Sequence, residues 1–326
     1  MYNVADRTFY QLATDPDFWR DLNPSMTITE AGVNKPVKAF EVSRAAIAEA
    51  KESIVADGYF KIESFFDPTT LKDLVACVTK LHAEKWPETF AFVYDDFWHV
   101  IQRTSFVMGE LLGRDYKQMP NMWVFFIDCN SQSKGWMPHR DRTRTKTLDA
   151  NGYPYSINIW LPLTDATPEN SCMYILPAGL DENYKGDLLI QSVSSLQDVR
   201  AIPGKAGDFL AWNESVYHWG GRSGRLAKEP RISLNTNFQS AKVDPFEWPL
   251  MNPGAIPPFM ERVGLISQQF LRFQVQNSYT ESTALLAKEL SVLSEPVQHF
   301  DSLNPYKRSK LGSFKKALTG ALAKNS

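Results

Sequence analysis

Hydrophobic and polar positions change their period twice along this chain. From Ser43 to Asp57 the apolar residues Ala46, Ile47, Ala50, Ile54 and Val55 recur at helical spacing, with Ser43 placed to cap and Gly58 to stop the helix. Tyr59 to Phe65 alternates as a strand does. Asp67-Pro68 then opens a second helix with Leu71, Leu74, Val75, Val78 and Leu81 on one stripe, and His82 at its end reads as a satisfied helix residue. Aromatics crowd Phe90 to Trp98, and a short helix runs on to Leu112, closed by Gly113.

From Asn121 the period falls to two. Met122–Cys129, Tyr155–Leu163, Cys172–Leu176, Asp208–Trp212, Val216–His218 and Arg231–Phe238 read as short strands separated by turn signals such as Asn151-Gly152 and Pro177-Ala178-Gly179. Two of them divide cleanly by face. Asn158 and Trp160 oppose Ile157, Ile159 and Leu161; Arg231, Ser233, Asn235 and Asn237 oppose Ile232, Leu234, Thr236 and Phe238. A polar face that begins in Arg can line a pocket while the apolar face packs under helices. After Trp248 helical stripes return, first Phe259 to Phe273 and then Leu285 to Leu293. The pattern predicts a mainly β jelly roll, cupin-like, flanked by helices. It divides into an N-terminal arm (1–40), a helical and strand cover (41–120), the jelly-roll core (121–240) and C-terminal helices (241–326), all one domain spanning 1–326.

Composition narrows the function classes. The chain has 326 residues, 43% hydrophobic, with a formal net charge of −2. That is enough for a full core, without the basic stripe that nucleic-acid binding requires. The three cysteines are scattered and form no CxxC, which points to reduced thiols and a cytoplasmic setting. No apolar run reaches the length of a membrane span, and the N-terminus does not read as a signal peptide. The basic tail from Lys307 to Lys324 reads as a docked or frayed helix, with a membrane-surface helix as the alternative.

The chemistry concentrates in three pieces. His139 and Asp141, two apart on an extended segment, point to one side, and His218 follows 79 positions later. Two imidazoles and a carboxylate are the ligand set that holds Fe(II) on one face and leaves the remaining positions open. Arg231 lies 13 positions beyond His218, and its planar fork suits bidentate capture of a carboxylate. Ser233 and Asn235 share its face and are expected in the pocket, as are Tyr94 and Trp98 from the aromatic cluster. Arg140, Arg142, Arg144, Arg222 and Arg225 read as solvated loop charges, with an acidic substrate group as the alternative.

His139-x-Asp141, His218-Trp219-Gly220-Gly221 and Arg231, in this order and spacing, resemble the phytanoyl-CoA dioxygenase family of Fe(II)- and 2-oxoglutarate-dependent oxygenases. The resemblance runs from about Gly58 to Phe238. It implies a double-stranded β-helix core, iron on His139, Asp141 and His218, and the far carboxylate of 2-oxoglutarate on Arg231. It places Trp160, Asn121 and Gly220 near the co-substrate. It implies consumption of O2 and release of succinate and CO2 as a small-molecule substrate is hydroxylated, desaturated or cyclised. Asp141 itself argues against halogenation, since halogenating relatives lack this carboxylate. The sequence departs from the family at Pro177-Ala178-Gly179-Leu180-Asp181, where Gly-Ser-His is usual. Two rivals stay open: a cupin-like metal enzyme that does not use 2-oxoglutarate, and a non-catalytic binding module on the same barrel.

Overall fold

The computed structural model describes residues 7–129, 135–143, 147–273 and 281–299. The basic segment 307–324 and Arg144 lie outside the described residues. Two short helices, α1 (Arg7–Ala13) and α2 (Pro16–Leu22), make the N-terminal arm helical. The arm docks through Trp19, which is fully buried and packs on Trp86, Phe90 and Tyr94.

Ser43 caps α3 (Arg44–Ala56) as its position predicts: its Oγ accepts from the Ala46 amide at 3.1 Å, a contact worth about 1 kcal/mol. Gly58 then turns the chain at φ +79°. Strand β1 (Tyr59–Ile62) ends three residues before the alternation does, where Ser64 adopts a φ of +52°. Asp67 caps a single tight turn, Pro68–Leu71, so α4 (Lys72–Ala83) starts a turn later than expected. The expected helix before Gly113 is two, α5 (Asp95–Arg103) and α6 (Ser105–Leu112). They break at Thr104, whose hydroxyl donates to the Ile101 carbonyl at 2.7 Å.

The strands that follow are β2 (Lys117–Ile127), β3 (Ser156–Pro162), β4 (Met173–Leu176), β5 (Arg200–Ile202), β6 (Phe209–Asn213), β7 (Tyr217–Gly220) and β8 (Arg231–Gln239). They form two antiparallel sheets, one ordered β1-β6-β3-β8-β2 and the other β5-β4-β7. β2 begins earlier than its apolar run, and its register with β8 breaks between Gln118 and Met122. Pro120 lies within that break, where a ladder N–H is not required. A short pair, β9 (Glu247–Trp248) with β10 (Gln298–His299), lies apart from these sheets, and α7 (Phe259–Arg272) and α8 (Glu281–Leu290) supply the C-terminal helices.

Alternation along the five-stranded sheet explains the layering. Its outer face gives Met122, Val124, Ile157, Ile159, Leu161, Ala211, Ile232, Leu234 and Phe238 to one large core shared with the helices. Trp160, Leu210 and Trp212, from the opposite face, join Met173 and Ile175 of the small sheet in a second core. The two sheets and their helical cover make the jelly roll that the pattern predicts.

Candidate metal centre and anion pocket

Residues 137–141 run beside β7. His139 and His218 exchange both backbone hydrogen bonds, at 3.0 and 2.9 Å. This bridge sets their rings 4.4 Å apart although 79 residues separate them. Each ring Nδ1 faces a backbone carbonyl two residues earlier, Met137 O at 2.6 Å and Val216 O at 3.0 Å. A carbonyl can only accept, so Nδ1 carries the proton and each Nε2 keeps its lone pair for a metal.

Asp141 completes the cluster, with Oδ1 3.3 Å from His139 Nε2 and Oδ2 3.8 Å from His218 Nε2. One ligand atom from each residue lies within 4.8 Å of the others. Oδ2 accepts from Asn158 Nδ2 at 3.0 Å and from Trp212 Nε1 at 3.2 Å. Asn158 is held in turn by Asn235, whose Nδ2 donates to its Oδ1 at 2.7 Å. Two fixed donors on one oxygen orient the carboxylate and leave Oδ1 toward the imidazoles. Burial alone would raise the Asp141 carboxyl; the two imidazoles and Asn158 overcome it and hold it below the usual carboxylate range. Burial lowers His218 to about 4, so its ring is neutral at pH 7. Neutral imidazoles and an ionised carboxylate are the protonation states a divalent metal requires.

The same face of the large sheet carries Arg231. Its side chain is buried, 2% exposed, and no carboxylate pairs with it among the described residues. Nε donates to Ser171 O at 3.1 Å, Nη2 to Ser171 Oγ at 3.2 Å and Nη1 to Ser233 Oγ at 2.6 Å. Ser171 offers both its carbonyl and its hydroxyl while holding a φ of +72°. The guanidinium also lies 5.6 Å from the Trp160 ring and 5.8 Å from that of Phe125. Burial lowers its pKa to about 10, so it stays charged at neutral pH. A buried cation held by neutral groups is a site for an anion. Gly220 abuts it: a Cβ there would sit 2.9 Å from Gly135 Cα and 3.3 Å from Arg231 Nη2.

One cavity of about 370 Å3 joins the two features. His139, Asp141, His218, Arg231, Trp160, Asn121, Gly220 and Asn235 all line it. Asn121 lines the cavity at the opposite end of β2 from Ile127, the register partner of Arg231, so the expectation that it sits beside the co-substrate is corrected. The structure moves the other expected residues elsewhere. Ser233 is fully buried behind Arg231 and supports it. Tyr94 is fully buried among the helices, its hydroxyl tied to Trp19 O and Asn23. Trp98 is buried there too and donates to Phe92 O. Neither aromatic reaches the cavity, because the face of the segment that carries them is needed to cover the sheet.

Arg140 and Arg142 correct the loop-charge reading. Arg140 is buried against Asp181 at 2.6 Å. Arg142 bridges Glu214 at 2.6 Å and Glu247 at 2.8 Å, and Glu247 also pairs with Arg272 at 2.9 Å. Arg222 and Arg225 are exposed, as solvated charges would be. The strand alternation placed Asn158 on the pocket face; nothing local marks Trp212, Glu214 or Glu247, whose contacts to Asp141 and Arg142 span 71 to 105 residues.

Residues 92–226 match the family model of phytanoyl-CoA dioxygenase (PhyH). No curated protein matches the chain. Among solved structures, the non-haem α-ketoglutarate-dependent epimerase SnoN from nogalamycin biosynthesis is 18% identical, covering 61% of this chain and 85% of its own, with a TM-score of 0.48. HygX from Streptomyces hygroscopicus, with nickel and 2-oxoglutarate bound, is 12% identical over 62% of this chain and 88% of its own, at 0.47. EctD from S. alaskensis is 15% identical over 67% and 85%, at 0.45. The matched span contains His139, Asp141 and His218 and stops five residues before Arg231; over that span, less than half of its length, the chain is similar to the phytanoyl-CoA dioxygenase (PhyH) family.

Proposed function

We propose that the chain is an Fe(II)- and 2-oxoglutarate-dependent oxygenase that hydroxylates, desaturates or cyclises a small molecule. The observation that carries this reading is the buried guanidinium of Arg231, without a carboxylate partner among the described residues, in one cavity with the His139, Asp141 and His218 cluster. The donor set fits iron: two imidazole Nε2 atoms and one carboxylate oxygen, each oriented by a partner on its other polar atom or on the same carboxylate. When bound, Fe(II) with 2-oxoglutarate and O2 supplies oxidation of an unactivated C–H bond, with release of succinate and CO2.

The chain's own residues do the rest. Arg231 neutralises and orients the far carboxylate of the diacid, and Ser171 and Ser233 fix the fork that grips it. Gly220 leaves room beside that fork. Asn158 and Trp212 keep Asp141 from rotating. Trp123, Trp136 and Phe273 meet edge to face beside His139, forming an apolar wall that sheds water from the reacting centre.

No helix among the described residues is long and apolar enough to cross a membrane. A cytoplasmic setting is part of the same proposal, supported by three free cysteines. So is a single oxygenase unit over 1–326, supported by the core that the flanking helices share with the sheet.

The test is uncoupled turnover. Protein reconstituted anaerobically with Fe(II) and 2-oxoglutarate should release succinate on exposure to air, and Arg231→Ala should abolish that release. Iron-loaded protein that forms no succinate would favour the binding module. Succinate release indifferent to Arg231→Ala would place the diacid elsewhere.

A further inference from the structure

The cavity has a second end. β8 carries Arg231 at one extreme of the pocket face and Asn237 six residues along, about 20 Å away at the rise of a strand. Asn237 pairs in register with Asn158, the residue that holds Asp141, so this end of the cavity adjoins the metal cluster. At the far end Asn237, Asn121, Glu214 and Glu247 line the cavity.

Two acceptors there have no partner among the described residues. Asn237 is 2% exposed, and its Oδ1 is buried without a hydrogen bond, as is Oδ1 of Asn121 on the neighbouring strand. The orientation of Asn237 is fixed by chemistry. Its Nδ2 donates at 2.8 Å to Glu214 Oε1, while Glu214 Oε2 takes Arg142 Nε at 2.6 Å. A carboxylate held by a guanidinium accepts and does not donate, so Oδ1 must point the other way. A buried, unmet carbonyl costs about 1–3 kcal/mol, which a bound donor would recover.

Charge at this end is balanced. Glu214 and Glu247 are matched by Arg142 and Arg272, all mutually paired. The vacant valence is therefore for hydrogen-bond donors without net charge. Phe273, Trp123 and Trp136, which also line the cavity, stand edge to face and offer apolar ring faces against which a bound ring can pack.

We propose that Asn237 and Asn121 form the substrate subsite, and that they select an uncharged ring-bearing molecule through its O–H or amide N–H donors. This inference rests on the oxygenase reading for the word substrate, and its test does not depend on turnover.

The experiment is equilibrium dialysis of the full chain loaded with Zn(II) and 2-oxoglutarate against three probes: resorcinol, its dimethyl ether, and benzylamine. Resorcinol should bind about 10-fold more tightly than the ether, as two net hydrogen bonds allow. Benzylamine should bind no better than the ether. Asn237→Leu and Asn121→Leu should each cut the resorcinol preference to threefold or less. The two residues sit on different strands, so one variant serves if the other fails to fold. Equal binding of resorcinol and ether, no binding of either, tightest binding of benzylamine, or a preference unchanged in both variants would overturn the proposal. Binding of 2-oxoglutarate is read in the same samples, so loss of the diacid site is distinguished from loss of donor selection.

Discussion

Replacing Arg231 with Met keeps an apolar stem of similar reach and removes the charge. In the wild-type chain the guanidinium is 2% exposed, makes three hydrogen bonds to neutral acceptors, and has no carboxylate partner among the described residues. A diacid that docks there gains two charge-assisted hydrogen bonds at about 1.5–3 kcal/mol each. Losing both should cost roughly 3–6 kcal/mol, a drop in 2-oxoglutarate affinity of about 10²- to 10⁴-fold. The assay is thermal unfolding with Mn(II) in place of Fe(II), so that nothing turns over. At a ligand concentration of about 100 Kd the wild-type chain should gain about 2.7 kcal/mol, or roughly 4 °C in Tm. Arg231→Met should lose that gain and keep its Mn(II)-induced shift. The unliganded variant should melt near the wild-type temperature, because removal of a buried, unpaired charge offsets the lost hydrogen bonds. A variant that keeps the 2-oxoglutarate shift would refute the anion-site reasoning. So would one that loses the Mn(II) shift, since Arg231 touches none of the metal-cluster residues.

Trp212→Phe removes one of the two donors on Asp141 Oδ2 while keeping the ring; metal titration should show affinity falling about 10- to 100-fold with little change in Tm. Gly220→Ala places a methyl against Gly135 and Arg231; steady-state assays should show the KM for 2-oxoglutarate rising at least as much as kcat falls. Arg142→Ala leaves Glu214 and Glu247 buried with a partner removed; urea unfolding should show a loss of about 3–5 kcal/mol.

What the sequence made legible follows from range. Period-two alternation places Asn158, Trp160, Arg231 and Asn235 on the pocket face, because the direction of a strand side chain is set by its own backbone. Ser43 as a cap and Gly58 as a stop are local for the same reason. His139 and His218 were legible as a pair only through residue chemistry and family resemblance; the bridge that joins them is a tertiary contact. Arg142 looked like a loop charge since nothing within ten residues shows that Glu214 and Glu247 enclose it. Tyr94 and Trp98 failed in the opposite way. An aromatic is equally at home in a pocket or a core, and theirs is the core under the sheet.

The proposed oxygenase requires His139, Asp141 and His218 to hold one iron onto which the diacid held by Arg231 can chelate. Anaerobic titration of Fe(II) into the chain with 2-oxoglutarate, followed by visible absorption, tests it directly. A metal-to-ligand charge-transfer band should appear, saturate at one iron per chain and disappear in His218→Ala. Iron binding that survives His218→Ala undiminished, or saturates without the band, would contradict it.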